Sequence, residues 1–367
     1  MGLTAGIVGL PNVGKSTLFN AITKSSALAA NYPFATIDPN VGIVEVPDER
    51  IDKIVALVNP KKTIPTIFEF TDIAGIVKGA SKGEGLGNKF LSHIREVDAI
   101  VQVVRAFDDE NVVHVDGTVN PVRDIETINL ELIFADIEVI EKRLPKIEKK
   151  AQLKVDQDSV YEYGILAQIR DTLMNNMPIR TMKFTEPEFA VIKNFNFLTA
   201  KQMIYVANIA EDEISDYANN EYVKIIKDFA SKEGSEVVVI SAKIEAELSE
   251  LSDEEKLLFL EDLGVNESGL DQLIKKSYEL LGLKTYFTAG PQEVRAWTFK
   301  NGMKAPECAG IIHTDFQKGF IRAETIAYDD FVQYKGEQGA KEAGKMRLEG
   351  KEYIVKDGDV MHFRFNV

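Results

Sequence analysis

An apolar run, Gly6-Ile7-Val8-Gly9, leads directly into Leu10-Pro11-Asn12-Val13-Gly14-Lys15-Ser16-Thr17, which puts Gly9 and Gly14-Lys15-Ser16 at the Gly-x-x-x-x-Gly-Lys-Ser spacing. That spacing commits the region to a strand, a tight glycine-rich turn and a helix. Glycines let the backbone curl until several N–H groups face one anion, the lysine brings a point charge to the β- and γ-phosphates, and the serine hydroxyl offers a ligand to Mg²⁺. The positive end of the following helix, predicted from Ser16 through Ile22, faces the same place. Gly9, Asn12, Val13, Gly14, Lys15, Ser16 and Thr17 are therefore candidate nucleotide-binding residues. The architecture they call for is α/β, a doubly wound parallel sheet.

The remaining parts of a nucleotide site follow in order. Thr66 to Asp72 alternates as a strand and ends in Asp72-Ile73-Ala74-Gly75, which offers a carboxylate to the Mg²⁺ shell and the Gly75 N–H to a γ-phosphate. Between these motifs, Thr36 in Pro33-Phe34-Ala35-Thr36-Ile37 is either a switch residue closing over Mg²⁺ or an ordinary loop threonine. Two apolar strands, Gln202–Ala207 and Glu236–Ile240, end in Asn208-Ile209-Ala210-Glu211 and Ser241-Ala242-Lys243, where G proteins hold the base. Asn208, Ile209, Ser241 and Ala242 are the base-site candidates.

Departures from a guanine site carry equal information. Glu211 stands where an aspartate would accept the guanine N1 and N2 hydrogens, and Ile209 stands where a lysine would lie along the base. Directly after Gly75 the chain has Ile76, and a hydrocarbon cannot orient an attacking water. The catalytic group must come from elsewhere. The stretch beyond is rich in glycine, with Gly79, Gly83, Gly85 and Gly87.

These motifs in this order, together with Asn-Tyr-Pro-Phe-Ala-Thr-Ile and Asp-Ile-Ala-Gly-Ile-Val-Lys-Gly-Ala-Ser, resemble those of the YchF subfamily of Obg-like P-loop proteins, the Obg-like ATPases, along nearly the whole chain. The resemblance implies ATP as preferred nucleotide, slow hydrolysis, a helical insertion in the G domain, a C-terminal TGS domain of β-grasp fold, and association with the ribosome, its large subunit, rRNA or tRNA being possible contacts. It implies a catalytic histidine on the loop after the Val101–Phe107 strand, which here is His114. One of only four histidines, it equally suits an exposed loop position. Asn12 matches the G proteins that use K⁺ as a second cation.

Composition bounds the reading. At 367 residues the chain exceeds one typical core. No apolar run of about 18 residues occurs and the N-terminus has no basic leader, so a cytoplasmic protein with no membrane span is expected. The single cysteine, Cys308, agrees with a reducing compartment. A formal charge of −15 excludes nucleic-acid binding by bulk charge, so any RNA contact must use a local basic patch.

Residues 1–128 and 199–282 are expected to form the nucleotide-binding domain. The interruption, 129–198, places Ile133, Ile137, Ile140, Leu144 and Ile147, then Leu166, Ile169 and Leu173, at helical spacing, which predicts a helical hairpin with a kink at Pro145 and a tip at Lys154–Asp158. Residues 283–367 read as a compact α+β unit with strands at Arg295–Phe299, Ala309–His313 and Met361–Phe365. The chain therefore reads as an ATPase switch; the competing readings are a GTPase switch and a scaffold with a structural nucleotide.

Overall fold

The computed structural model describes residues 3–26, 40–73 and 86–366. Thr36, Gly75, Ile76, Gly79, Gly83 and Gly85 lie outside the described residues. Two compact units divide the chain: residues 1–43 with 69–273, and residues 44–68 with 274–367. The strands are β1 (Thr4–Gly9), β2 (Val41–Glu45), β3 (Thr63–Ile64), β4 (Ile67–Asp72), β5 (Ala99–Arg105), β6 (Gln202–Asn208), β7 (Glu236–Ile240), β8 (Leu283–Ala289), β9 (Val294–Lys300), β10 (Phe320–Ile326), β11 (Arg347–Glu349) and β12 (Val360–Phe365).

The first sheet runs β2-β4-β1-β5-β6-β7. From β4 to β7 its neighbours are parallel. Every residue of β5 is buried, as expected of a central parallel strand covered on both faces. At the β2 edge, Val46 N–H donates to Thr66 O and Asp72 N–H to Asn40 O, which run the two strands in opposite directions.

The predicted hairpin is present, but its first helix begins earlier than expected. It spans Pro121–Gln152 without a break, with Asn120 as its cap and Pro121 in its first turn. Its opening turns bury Ile125, Ile128 and Leu132, so residue 129 lies inside a continuous helix. Farther along, Ile140, Leu144 and Ile147 pack against Leu166, Ile169 and Leu173 of the return helix, Gln157–Met174. The helix continues through Pro145. Both Pro145 and Glu141, whose carbonyl loses its helical donor, lie on the exposed face, so the freed carbonyl is not shut away from solvent. The return of the chain to the sheet is tied by Asp136, whose carboxylate accepts Leu198 N–H at 2.9 Å and Thr199 N–H at 2.8 Å.

The second unit holds the sheet β11-β10-β12-β8-β9-β3. An antiparallel β8–β9 hairpin, β12 parallel to β8, and helix Ala305–Ile312 packed on Tyr286, Phe299 and Phe363 make the β-grasp arrangement. The strand expected at Ala309–His313 is instead the end of that helix. Pro306 opens it, Glu307 caps it, and Ala305, Cys308 and Ala309 bury one face at helical spacing, whereas a short apolar run by itself fits either element. Residues 44–68, expected within the nucleotide-binding domain, contribute β3, which pairs with β9, and helix Glu49–Val58, whose Ile51 and Ile54 pack on Phe287 and Phe331.

Candidate nucleotide site

The C-terminal ends of the parallel strands carry the motif loops, the usual location of a ligand in a doubly wound sheet. After β1 the chain curls through Asn12 (φ 62°) and Gly14 (φ 93°) into helix Lys15–Ser26. A Cβ at Gly14 would overlap the Asn208 side-chain amide, and one at Gly9 would sit 2.9 Å from Val13 Cγ2, so neither glycine is replaceable without moving the loop. Val13 is buried, Lys15 and Thr17 are half-buried, and the Ser16 hydroxyl-bearing residue is exposed at the start of the helix. Lys15 Nζ forms an ion pair with Asp72 Oδ1 at the end of β4, so the cation and the carboxylate predicted to share one phosphate–metal site do meet.

Asn208, at the end of β6, is buried and has both ends of its amide engaged: Nδ2 donates to Val13 O at 2.8 Å and Oδ1 accepts Ala242 N–H at 2.9 Å. The phosphate loop and the Ser241–Ala242 turn are thus joined by one side chain. Ile209 is buried and donates its N–H to Ile240 O at 2.9 Å. Ser241 is buried at the cap of helix Ala242–Leu248. Glu211 is exposed, 3.7 Å from Lys243 Nζ.

His114 is neither exposed nor free. Its side chain is buried, Nε2 lies 2.8 Å from Asp124 Oδ2, and Nδ1 accepts the Asp116 N–H at 3.1 Å, a pattern that puts the ring proton on Nε2. His114, Asp116 and Asp124 bring ligand-type atoms within 4.8 Å of one another. The Arg123 guanidinium supplies the positive charge there, 3.2 Å from Asp124, 3.4 Å from Asp116 and 3.4 Å from His114 Nδ1. One residue earlier, the Val113 carbonyl accepts from Asn12 Nδ2 at 3.0 Å, which attaches the histidine loop to the phosphate loop. At the loop's start, Arg105 donates to the carbonyls of Phe107 (3.1 Å), Val112 (2.7 Å) and Asp109 (3.2 Å).

A family model described as 50S ribosome-binding GTPase matches residues 4–141, and that of the C-terminal domain of YchF GTPases, described as a protein of unknown function, matches residues 283–366. The ribosome-binding ATPase YchF of Bacillus subtilis is 66% identical over 367 residues, covering the whole of both chains. The chain belongs to the YchF family. The Escherichia coli O157:H7 protein of the same name is 54% identical over the same length. The solved YchF GTPase of Schizosaccharomyces pombe, 42% identical, superposes with a TM-score of 0.90 over 99% of this chain and 98% of its own.

Within this YchF-family site the structure gathers Gly9, Asn12, Val13, Gly14, Lys15, Asp72, Asn208 and Ala242 through the contacts above, while Thr36 and Gly75 fall outside the described residues. Sequence reasoning missed Arg105, Asp116, Arg123, Asp124 and the Val113 carbonyl. Only Arg105 carried a legible signal, as the one charged residue in the strand Ala99–Arg105.

Proposed function

We propose that this chain is an ATP-preferring P-loop hydrolase that acts as a slow nucleotide-dependent switch on the ribosome, in the cytoplasm. The observation that carries the hydrolase reading is the loop from Gly9 to Ser16, held by Asn208 with Lys15 set against Asp72. Its curled backbone and the N-terminus of helix Lys15–Ser26 form an anion cradle. The ribosomal partner is taken from the names of the relatives, ribosome-binding ATPases, and from the matching 50S ribosome-binding GTPase family.

Lys15 would hold the β/γ-phosphates. The Asp72 carboxylate already faces Lys15 and the Ser16 hydroxyl opens the adjacent helix, an oxygen donor set suited to Mg²⁺, with Thr36 as a further ligand. When bound, the cation neutralises phosphate charge. Because Asn12 Nδ2 is committed to Val113 O, its Oδ1 is the atom available to K⁺. The base lies against Asn208–Glu211 and Ser241–Ala242; Glu211, longer than the aspartate of a guanine site and set beside Lys243, is the reason for preferring ATP.

His114 would supply the group that Ile76 cannot, orienting the attacking water. To do so the ring turns away from Asp124 about its own side-chain torsions, while the loop backbone, with its Asn12–Val113 bond, stays in place.

Titrating ATP and GTP separately, then measuring turnover with and without ribosomes, tests the reading. Tighter ATP binding is expected; equal or tighter GTP binding would sink the ATP preference. Since Ile209 is buried, Glu211→Asp is the cleaner specificity variant, and it should narrow the preference. Co-sedimentation with ribosomes in an ATP analogue, ADP and no nucleotide, at low and moderate salt, should show nucleotide-dependent binding; no sedimentation in any state removes the partner.

A further inference from the structure

The loop from Phe107 to Asn120 has little apolar surface with which to hold itself in place. Val113 is 73% and Val115 56% exposed, and the residues between Asp108 and Asn120 are mostly open to solvent. Its position depends on polar tethers. The first of these is unusual. Arg105 is 2% exposed, at the end of a fully buried strand, and its guanidinium donates to three carbonyls of this one loop while lying 4.6 Å over the Phe107 ring. A buried cation is costly unless its donors are met, and here main-chain oxygens meet them. In register Arg105 lies directly beside Asn208, the residue that clamps the phosphate loop.

An exposed loop has no need of such a side chain merely to satisfy its carbonyls, because water would do so. What a rigid five-donor fork adds is a single loop conformation, with Val112 held at 2.7 Å, Val113 placed for Asn12, and His114 next in the chain. From this geometry we propose that Arg105 is a positioning residue for nucleotide hydrolysis, acting on the reaction solely through the placement of His114. The proposal rests on His114 being the catalytic group.

The test is a double-mutant cycle on the full chain with saturating ATP and Mg²⁺. Arg105→Lys retains charge and length but cannot fork to three carbonyls; Arg105→Met removes the charge. Both should lower kcat, on the order of 10- to 100-fold for Arg105→Met and less for Arg105→Lys, with the affinity for a non-hydrolysable ATP analogue unchanged within about twofold. In a His114→Ala background the same Arg105 substitutions should cause no further loss. An Arg105 loss that persists in that background overturns the positioning role, as does full turnover in Arg105→Lys together with Arg105→Met. If Arg105→Met fails to fold, the Arg105→Lys arm decides alone by the same criteria. Full turnover in His114→Ala is a separate outcome: it removes the catalytic reading of His114 and the positioning role with it.

Discussion

The ammonium of Lys15 rests on the carboxylate of Asp72, two residues 57 positions apart that the pairing of β1 with β4 brings together, Asp72 at the end of β4 and Lys15 at the start of the helix that follows β1. A phosphate arriving at Lys15 therefore competes with Asp72, and a cation that takes Asp72 relieves the competition. Asp72→Asn should raise ATP affinity in EDTA by about two- to fivefold, the scale of a partly exposed ion pair, while weakening the gain from added Mg²⁺ and lowering turnover. Isothermal titration with and without Mg²⁺ reads both effects. An unchanged affinity in EDTA would show that the pair does not restrain Lys15.

Asn208 bears on stability as well as binding. Asn208→Ala leaves the Val13 carbonyl and Ala242 N–H without their buried partner, at a cost of about 2–4 kcal/mol for two such bonds. Asn208→Asp keeps the acceptor for Ala242 but sets a second acceptor against the Val13 carbonyl and buries a negative charge beside the phosphate loop, so a loss at least as large is expected. Chemical unfolding and ATP titration should place both variants below wild type; equal stability in all three would mean the clamp is dispensable.

A buried carboxylate gives the first unit a defined pH dependence. Glu245 accepts the Gly269 N–H at 2.8 Å, and burial pushes its carboxyl up from 4.5 to about 7 despite that bond. Because the folded chain holds the proton more tightly than the unfolded one, this group's stabilising contribution is complete below about pH 4.5 and is lost as pH rises through about 7. Glu245→Gln should remove the slope, gaining about 1–3 kcal/mol on wild type between pH 5 and pH 8. Urea midpoints at several pH values check this, and parallel slopes for the two proteins would contradict it.

Cys308 should be inert while the protein is folded. It is buried under the β-grasp sheet, and burial drives its thiol up to about 12. A thiol reagent at neutral pH should label it only after denaturation, since the thiolate is the reactive form. Stoichiometric labelling of the native protein within minutes would refute this.

Much of the fold was legible in the chain because local spacing carries it. The Gly9–Ser16 motif, the apolar run of β5 and the three-and-four stepping of Ile140, Leu144 and Ile147 each need only nearby residues to be read. Where local pattern fits two elements, it failed: Ala309–His313 is apolar enough for a strand, and the helix is set by Pro306 and the Glu307 cap upstream together with packing of Cys308 and Ala309 against Tyr286 and Phe363. The short β3 was equally unreadable, since its partner β9 lies more than two hundred residues onward in sequence.

The sequence by itself determined that a phosphate-loop motif is present, that Lys15 lies within it and that Ile209 and Glu211 depart from the guanine-site pattern, because backbone curvature and side-chain chemistry at those positions are local properties. Tertiary structure alone decided that His114 is buried on Asp124, that Asn12 reaches Val113 across 101 residues, that Asn208 reaches Val13 across 195, and that Arg105 turns onto its own following loop. A hydrogen bond forms only where two groups meet at about 3 Å in the right orientation. For the long-range pairs, that meeting is produced by the order of strands in the sheet, which no window of sequence contains.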